Sequence, residues 1–331
     1  MKKILSVLVI MAVAATGLFA GGGSEGGQSN YPTKPVTAIV PYPAGGGSDV
    51  LNKAVMKAIK LPNGQVMTSV ITEGAAGLTG AMRCFNTTGD GYTIMTHNPA
   101  DVLAYALSGQ DKIPLYQELE VVADLVSDYN CIGINKTVAA QYGWKTIEDL
   151  VKWSKANPSQ KLRWGVVGAQ TINMVDSRRV AEALGIYDNI TFVPYDGGAM
   201  TRKASMGNEI QIETSSASEF AEVVRSGDMF LLLIINAKRI KSYPDVPTTV
   251  EKGVNVATAK PRGYFAPKGT DPAILKALAD ALKQVAQDPE FIEVMEKTIK
   301  LDVNFVDGAT SKKQMATWYG DLKPYYDKYF N

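Results

Sequence analysis

The sequence predicts an α/β protein in which short strands alternate with loops and helices. Runs rich in β-branched residues, such as Val36–Val40, recur along the chain. Small polar or glycine-rich loops follow these runs, and segments with apolar residues at helical spacing follow the loops. This alternation predicts a mainly parallel sheet. The 331 residues, of which 46% are hydrophobic and 20% charged, suffice for one large domain or two smaller ones.

The N-terminal residues 1–20 have the features of a signal peptide. Lys2 and Lys3 form a basic start, residues 4–15 are apolar but too few to span a bilayer, and Ala20 suits a cleavage site. Residues 21–30 then form a glycine-rich flexible linker. We therefore expect export from the cytoplasm, with a retained membrane anchor as the alternative.

The first strand–loop–helix unit carries a glycine-rich loop at 41–49. Gly45, Gly46 and Gly47 leave no side chain between the backbone amides and a ligand, and Ser48 suits the helix N-cap. Bare amides at the start of a helix can bind phosphate or carboxylate. Asp49 has two readings. In the first it only caps the helix. In the second it has a functional role, because it orients the loop amides and bound water or pairs with a ligand ammonium.

The remaining elements follow the same alternation. Further strands are predicted at 66–72, 93–96, 118–126, 131–135, 162–167, 190–193, 210–212, 229–235 and 262–266, and further helices at 81–85, 100–108, 144–156, 174–184, 199–207, 219–225, 271–285, 290–300 and 312–329. The strand at 229–235 is strongly apolar and is expected to be buried. Small or polar loops follow strands at 43–49, 74–80, 168–173, 194–198 and 213–218. Ligands bind at such strand ends in open α/β sheets, so loops from both halves of the chain predict a cleft between two lobes.

Composition and motifs exclude several classes of protein. The 34 basic and 33 acidic residues give a net charge of +1, which does not favour a nucleic-acid partner. No lysine follows Gly47, so the loop is not a nucleotide-binding P-loop. Two cysteines and one histidine are poor material for a zinc site, and we expect no metal and no cofactor. Cys84 and Cys131 either pair, which export permits, or remain two buried thiols.

The single histidine does not indicate an enzyme. His97 has no partner motif of the Gly-x-Ser-x-Gly type, which a serine hydrolase of the α/β class would require. We therefore expect no enzymatic activity, and a periplasmic hydrolase is kept as an alternative. If His97 lines the cleft, ligand affinity should depend on pH near its usual pKa of about 6.5.

The loops and strand ends supply the candidate ligand-binding residues. These are Tyr42, Ala44, Gly45, Gly46, Gly47, Ser48, Asp49, Gly77, Leu78, Thr79, His97, Asn98, Gly168, Ala169, Gln170, Thr171, Tyr195, Gly198, Thr214, Ser215 and Ser216, with Asn173 and Ser218 as further polar residues of the same loops. Several of these residues have a structural role as the alternative to ligand binding. A hydroxyl at the start of a helix primarily caps that helix, and a tyrosine ring can pack beneath its own loop. Several amides that each contribute about 1.5–3 kcal/mol to a charged group can hold a carboxylate.

Five motifs in order resemble the Bug family, the TctC-type extracytoplasmic solute receptors of tripartite tricarboxylate transport systems. The motifs lie at 40–49, at 74–80 with 90–93, at 193–195 with 197–198, at 243–248 and at 266–270, and residues 31–36 resemble the N-terminal start of the family. The resemblance runs from residue 31 to the C-terminus. Residues 168–173 and 96–98 depart from the family pattern. Both segments are expected beside the far end of a ligand, so the ligand class stays open.

The resemblance implies a periplasmic binding protein of the type II, Venus-flytrap shape, with a ligand cleft between two α/β lobes. Lobe 1 is expected at 31–130 plus 252–331, and lobe 2 at 131–251. The implied function is capture of a small carboxylate, held by loop amides and ordered waters without an obligatory arginine, and its delivery to integral-membrane permease subunits. We expect a monomer that binds no nucleic acid. The alternative from another class is a ligand-sensing partner of a membrane histidine kinase.

Overall fold

Residues 30–330 are described in the computed structural model, and their strands form two mixed sheets. The strands are β1 Val36–Val40, β2 Met67–Ile71, β3 Thr93–His97, β4 Glu120–Asp128, β5 Asn130–Asn135, β6 Leu162–Val167, β7 Ile190–Tyr195, β8 Ile212–Ser216, β9 Met229–Ile234, β10 Lys260–Ala266 and β11 Asp302–Asp307. The predicted signal peptide and nearly all of the predicted linker lie outside the described residues. In residues 30–330 no helix combines the length and the apolar character that crossing a membrane requires.

Helices cover both sheets. They are α1 Gly47–Ala58, α2 Leu78–Phe85, α3 Pro99–Leu107, α4 Leu115–Glu118, α5 Lys136–Tyr142, α6 Ile147–Ala156, α7 Ile172–Ala183, α8 Gly198–Met206, α9 Ala217–Arg225, α10 Pro272–Val285, α11 Pro289–Glu293 and α12 Gly308–Phe330. A π-helical turn, Val294–Ile299, continues α11, and short 3₁₀ turns lie at Pro62–Gly64, Ala75–Gly77, Tyr187–Asn189 and Val250–Lys252.

The two sheets define two lobes. Lobe 1 is built on the six-stranded sheet, in the order β11-β4-β10-β3-β1-β2, and lobe 2 on the five-stranded sheet, in the order β7-β6-β8-β5-β9. Strand β1 runs parallel to β2 and β3, and β6 runs parallel to β7 and β8. Strands β10, β11 and β5 pair antiparallel with their neighbours. The sheets are therefore mixed rather than mainly parallel, because β5 and β10, which carry the chain between the lobes, and the late strand β11 run against their neighbours.

The chain crosses from lobe 1 to lobe 2 through a single residue. Strand β4 ends at Asp128 and β5 begins at Asn130, and Tyr129 connects them. The chain returns to lobe 1 at the start of β10, where Lys260 lies opposite Asp128 in the β10–β4 ladder. The outgoing and returning strands thus lie side by side, which places Asn130 of lobe 2 beside Lys260 of lobe 1.

Each lobe has its own apolar core, and one helix serves both. Ile39, Met95 and Phe265 belong to the core of lobe 1, whereas Trp144 and Trp164 belong to that of lobe 2. Residues at the start of α7 pack into the lobe 1 core although α7 follows a lobe 2 strand. The C-terminal helix α12 packs on α3 and β4 and reaches α7 at its end. Apolar packing therefore continues from one lobe to the other.

Several element boundaries differ from the sequence prediction for identifiable reasons. Helix α6 begins at Ile147, since Thr146 accepts the Asp149 amide in a capping box. Strand β11 was missing from the prediction, and its partly exposed residues show little alternation. The apolar strand β9 lies at the edge of its sheet, and Phe230 is 47% exposed there. Cys84 and Cys131 are buried free thiols.

Candidate functional site

A small cavity lies where the loops of the two lobes meet. Its volume is about 20 Å³, room for about one water molecule. Lobe 1 lines it with Tyr42, Gly46, Gly47, Ser48, Asp101, Lys260 and Arg262, and lobe 2 with Val167, Asn173, Gly198, Ser216 and Glu219. The lobes are closed on each other around this cavity.

The glycine-rich loop of lobe 1 is held in place by Asp49. The Gly45 amide donates to Asp49 Oδ2 at 2.8 Å, and Gly45 has a φ of +81°, a left-handed conformation that glycine adopts readily. The same Asp49 oxygen forms an ion pair with Lys53 at 2.7 Å. The Asp49 carboxylate is therefore engaged by its own loop and helix. Of the two readings, the structure favours a loop-orienting role for Asp49.

Two glycines let charged side chains approach the backbone closely. A Cβ on Gly47 would lie 2.7 Å from Arg262 Nη2, a distance at which something must move. A Cβ on Gly198, the first residue of α8, would overlap the carboxylate of Glu219. Both glycines are thus required by close packing of a charged group against the chain.

Glu219 reaches from α9 of lobe 2 into the anion-binding loop of lobe 1. Its Oε1 accepts from the Gly47 amide at 3.4 Å, and its Oε2 accepts from the Ser216 amide at 3.0 Å. The carboxylate also lies against Gly198, so it is placed among the N-termini of α1, α8 and α9. Helix N-termini favour negative charge. The protein's own carboxylate therefore occupies the place that its backbone prepares for an anion.

Arg262 connects the two lobes on one side of the cavity. Its guanidinium donates from Nε to Asp128 Oδ2 at 2.7 Å, from Nη1 to Ser48 Oγ at 3.1 Å and from Nη2 to Ser216 Oγ at 2.8 Å. Burial alone would lower the pKa of Arg262, but the negative charges of Asp128 and Glu219 raise the pKa above its usual value. The guanidinium therefore stays charged, and Asp128 balances it.

Lys260 adds a second positive charge at the cavity, and no negatively charged side chain contacts it within the described residues. Its buried ammonium donates to Asn130 Oδ1 at 2.7 Å, Asn173 Oδ1 at 3.0 Å and Ser216 Oγ at 3.0 Å. All three acceptors are neutral and belong to lobe 2. Among residues 30–330, no carboxylate forms an ion pair with this ammonium. A buried charge with only neutral partners favours a nearby anion.

Asp101 presents an unpartnered oxygen at the cavity. Tyr42 donates its hydroxyl to Asp101 Oδ2 at 3.3 Å, whereas Asp101 Oδ1 is buried and has no hydrogen-bond partner within the described part of the chain. Burial and the charge of Asp101 raise the pKa of Tyr42, which keeps the hydroxyl protonated. The free oxygen can accept a hydrogen bond from a ligand.

His97 lies beneath the site and does not line the cavity. Its Nδ1 accepts from the Asn98 amide at 2.7 Å, so the proton is on Nε2, which donates to the Tyr105 hydroxyl at 2.9 Å. Tyr105 in turn donates to the Ala76 carbonyl at 3.0 Å. Burial, and then the charge of Arg262, lower the pKa of His97 to about 3. The histidine is a neutral support for the 74–77 loop.

Seven of the residues proposed from the sequence line the cavity, namely Tyr42, Gly46, Gly47, Ser48, Asn173, Gly198 and Ser216. The others surround it. Asn98 caps α3, Thr214 accepts from Trp164 Nε1 in the interior of lobe 2, and Ser215 donates to Glu213. Gly77 lies against the rings of Tyr42 and Tyr105.

The remaining proposed residues stand at the loop margins. Ala44, Gly45, Thr79 and Ala169 are exposed, Leu78 begins α2, and Gly168 donates its amide to the Tyr195 carbonyl. Thr171 donates its hydroxyl to the Val167 carbonyl. Gln170 accepts from Gln110 at 2.6 Å and thereby joins the two lobes at the rim.

Sequence reasoning missed the charged residues of the cavity. Lys260 and Arg262 are two residues apart on one strand and therefore share a face of the sheet. The predicted strand at 262–266 begins too late to show this pairing. Ser216 and Glu219 have the spacing of a capping box, which marks Glu219 as a helix-start residue but not as a group that crosses the cleft. Asp101 and Val167 carried no signal of their own.

Comparison with known proteins identifies the family. The family model for receptors of the tripartite tricarboxylate transporter family, TctC, matches residues 55–317. The chain is 26% identical over 297 residues to Protein BugT of Bordetella pertussis, covering 88% of this chain and 87% of that protein.

Solved structures share the fold. A periplasmic transporter matches with a TM-score of 0.82 at 22% identity, over 91% of this chain and 98% of that one. MatC from Rhodopseudomonas palustris, solved with bound malate, matches with a TM-score of 0.79 at 18% identity, over 89% of this chain and all 100% of that one. The proteins of this family are receptors and not enzymes. On the family match, this chain belongs to the TctC family of tripartite tricarboxylate transporter receptors, which are periplasmic solute-binding proteins.

Proposed function

We propose that this receptor captures a small carboxylate, either a di- or tricarboxylate or a related organic acid, and delivers it to integral-membrane permease subunits. The observation that carries the proposal is the buried ammonium of Lys260, which has only neutral partners in contact and stands at the cavity. A buried ammonium is stabilised by an anion that shares its low-dielectric surroundings. The amides at the start of α1 supply a second group that favours negative charge.

The proposed mechanism is closure of the lobes around the ligand. The chain crosses between the sheets at Tyr129 and returns at Lys260, so a change of backbone angles there would separate the cavity walls. The open form would admit the ligand, and ligand contacts with both lobes would favour the closed form. We take lobe 1 as 31–130 plus 252–331 and lobe 2 as 131–251, except that Asn130, the first residue of β5, counts with lobe 2 because β5 belongs to its sheet. The closed form would present a surface from both lobes to the permease.

Export through the N-terminal signal peptide at 1–20 completes the proposal, since a receptor of this kind must meet its ligand outside the inner membrane. The malate bound by the R. palustris relative is a dicarboxylate of the proposed class. Because that protein is only 18% identical to this chain, the likeness supports the fold and does not identify the ligand. Malate therefore serves as the first probe.

A thermal-shift screen tests the proposal. The mature protein would be heated with malate, citrate, adipate, acidic amino acids and aromatic acids, and with uncharged analogues of the same size. We expect one or more carboxylates to raise the melting temperature in a concentration-dependent manner, because a ligand that binds only the folded state stabilises it. Stabilisation by the uncharged analogues alone would contradict the proposal. Loss of uptake of the labelled hit in a deletion strain would support transport, and intact uptake would favour the sensing role.

A further inference from the structure

The cavity is too small for the ligand that the proposed function requires. A volume of about 20 Å³ admits about one water molecule. The space beside the lobe 1 amides is filled by the carboxylate of Glu219, which accepts from Gly47 and lies on Gly198. The unpartnered Asp101 Oδ1 shows that the cavity still holds a polar group without a contact.

We infer that Glu219 is a resident carboxylate that, together with Arg262 and Lys260, holds the lobes closed in the absence of ligand and that a ligand carboxylate must displace it from Gly47. This inference rests on the proposed function, because it assumes that the incoming ligand is a carboxylate. Glu219 is the specificity-determining residue in this account.

Glu219 can release its contact with lobe 1 while the start of its own helix in lobe 2 stays folded. Its contact with lobe 1 is the long 3.4 Å hydrogen bond from Gly47, whereas its 3.0 Å bond from Ser216 lies within its own helix start. The residue is partly exposed, so the side chain has space to turn outward. Displacement would break both bonds of the carboxylate, but the Ser216 side chain would still accept from the Glu219 backbone amide and cap the start of α9.

Competition with a resident group sets a requirement on the ligand. A tethered carboxylate acts at high effective concentration, so a ligand that offers one carboxylate only exchanges equal contacts. A second acidic group that reaches Lys260 adds an ion pair that Glu219 does not make. The site therefore selects ligands with at least two acidic groups and rejects monocarboxylates.

Three variants separate this role from helix capping. Glu219→Gln keeps an acceptor for the Ser216 amide but removes the charge, and Glu219→Ala removes both. Glu222→Gln is the matched control, since Glu222 is exposed on the same helix. Affinities for malate and for lactate, which has the same hydroxyl but one carboxylate, would be measured by calorimetry, and the ligand-free radius of gyration by small-angle X-ray scattering.

We expect both Glu219 variants to be more extended than the wild type without ligand. We also expect Glu219→Gln to bind malate about tenfold more tightly or better, because the charged competitor is gone, and to gain measurable lactate binding. Glu222→Gln should match the wild type in each measurement. Unchanged scattering of both Glu219 variants, or unchanged affinities of Glu219→Gln, would overturn the inference. If no carboxylate binds any of the proteins, the proposed function fails, and the scattering alone then decides whether Glu219 holds the lobes together.

Discussion

The ammonium of Lys260 donates a 2.7 Å hydrogen bond to Asn130 Oδ1, which joins the first residue of the strand that returns to lobe 1 to the first residue of the strand that enters lobe 2. The positive charge thus lies at the crossing between the lobes and also lines the cavity. A ligand anion that pairs with Lys260 would act at the point where the lobes are connected. Binding and closure are therefore coupled through this residue in the function that we propose.

Replacing Lys260 with methionine should weaken ligand binding by tenfold or more while preserving the fold. The substitution keeps an unbranched chain but removes the charge that we expect to pair with a ligand carboxylate. We predict a loss of affinity of tenfold or more for any carboxylate found in the screen, since hydrogen bonds to charged groups contribute about 1.5–3 kcal/mol. Calorimetry would measure the loss, with circular dichroism as the check on folding. Lys57→Met, on the exposed face of α1, is the control, and full binding by the Lys260 variant would refute the role of the ammonium.

Replacing Gly198 with alanine should prevent full closure of the lobes. The added Cβ would overlap the carboxylate of Glu219 in the same lobe, so we expect Glu219 to turn out of the cavity and lose its interlobe hydrogen bond from Gly47. We expect the variant to fold and to have a larger ligand-free radius of gyration in solution scattering. Gly320→Ala is the control, because a Cβ there meets no atom within 4 Å. In the helix interior it should stabilise the protein by about 0.5–1 kcal/mol. A closed Gly198→Ala protein would show that the Gly198 contact is not tight in solution.

The sequence predicted the loops of the site but not its charges. Glycines and hydroxyls after strands have a local meaning, so Gly46, Gly47 and Ser48 could be placed at the cavity from their own neighbours. Lys260 and Glu219 come from opposite lobes and meet at the site only because of the strand order. Local sequence does not encode such distant contacts, and a charged residue is by default expected on the surface.

His97 illustrates the opposite limit. A lone histidine at the end of a strand that leads to the cleft could have contacted the ligand. The structure turns the ring toward Tyr105 and Asn98, beneath the loop. Side-chain direction at a strand end depends on the pairing of β3 with β10, which the sequence did not reveal, since β10 enters the sheet from the last third of the chain.

Replacing Asp124 with asparagine should stabilise the protein above pH 6. Burial raises the pKa of Asp124 to about 6, and the Ser311 hydroxyl lowers it only partly. The folded state therefore binds a proton more tightly than the unfolded state, and this carboxyl makes stability fall as pH rises from about 4 to about 6. Above pH 6 the cost is complete, at roughly 2–3 kcal/mol.

Urea unfolding at several pH values measures this effect. The stability gain of Asp124→Asn should be largest at pH 7.5 and should shrink toward pH 4, where the folded carboxyl is protonated and the unfolded one approaches its own pKa of about 3.9. Asp321→Asn, exposed on α12, should show no such trend. A gain that is equal at pH 4 and pH 7.5 would mean that the ionisation of Asp124 is not its cause.

Replacing His97 with glutamine should reduce the loss of stability in acid. Burial and Arg262 lower the pKa of His97 to about 3, whereas an unfolded histidine titrates near 6.5. The unfolded state therefore takes up the proton first, and the stability that neutral His97 contributes is complete above about pH 6.5 and declines as pH falls toward 3. The slope approaches about 1.4 kcal/mol for each pH unit within that window. It is opposite in sign to the slope that Asp124 contributes between pH 4 and 6.

The difference in unfolding free energy between wild type and His97→Gln is measured in urea from pH 4.5 to 7.5. This difference separates the contribution of His97 from that of the carboxyl groups, which titrate equally in both proteins. Glutamine can still donate to the Tyr105 hydroxyl, so the support of the Ala76 carbonyl should survive. We expect the variant to be the less stable protein at pH 7.5 and to lose that disadvantage as pH falls. Because His97 does not line the cavity, its titration should leave ligand affinity constant over the same range. A free-energy difference that is independent of pH would show that His97 is not held neutral in the folded protein.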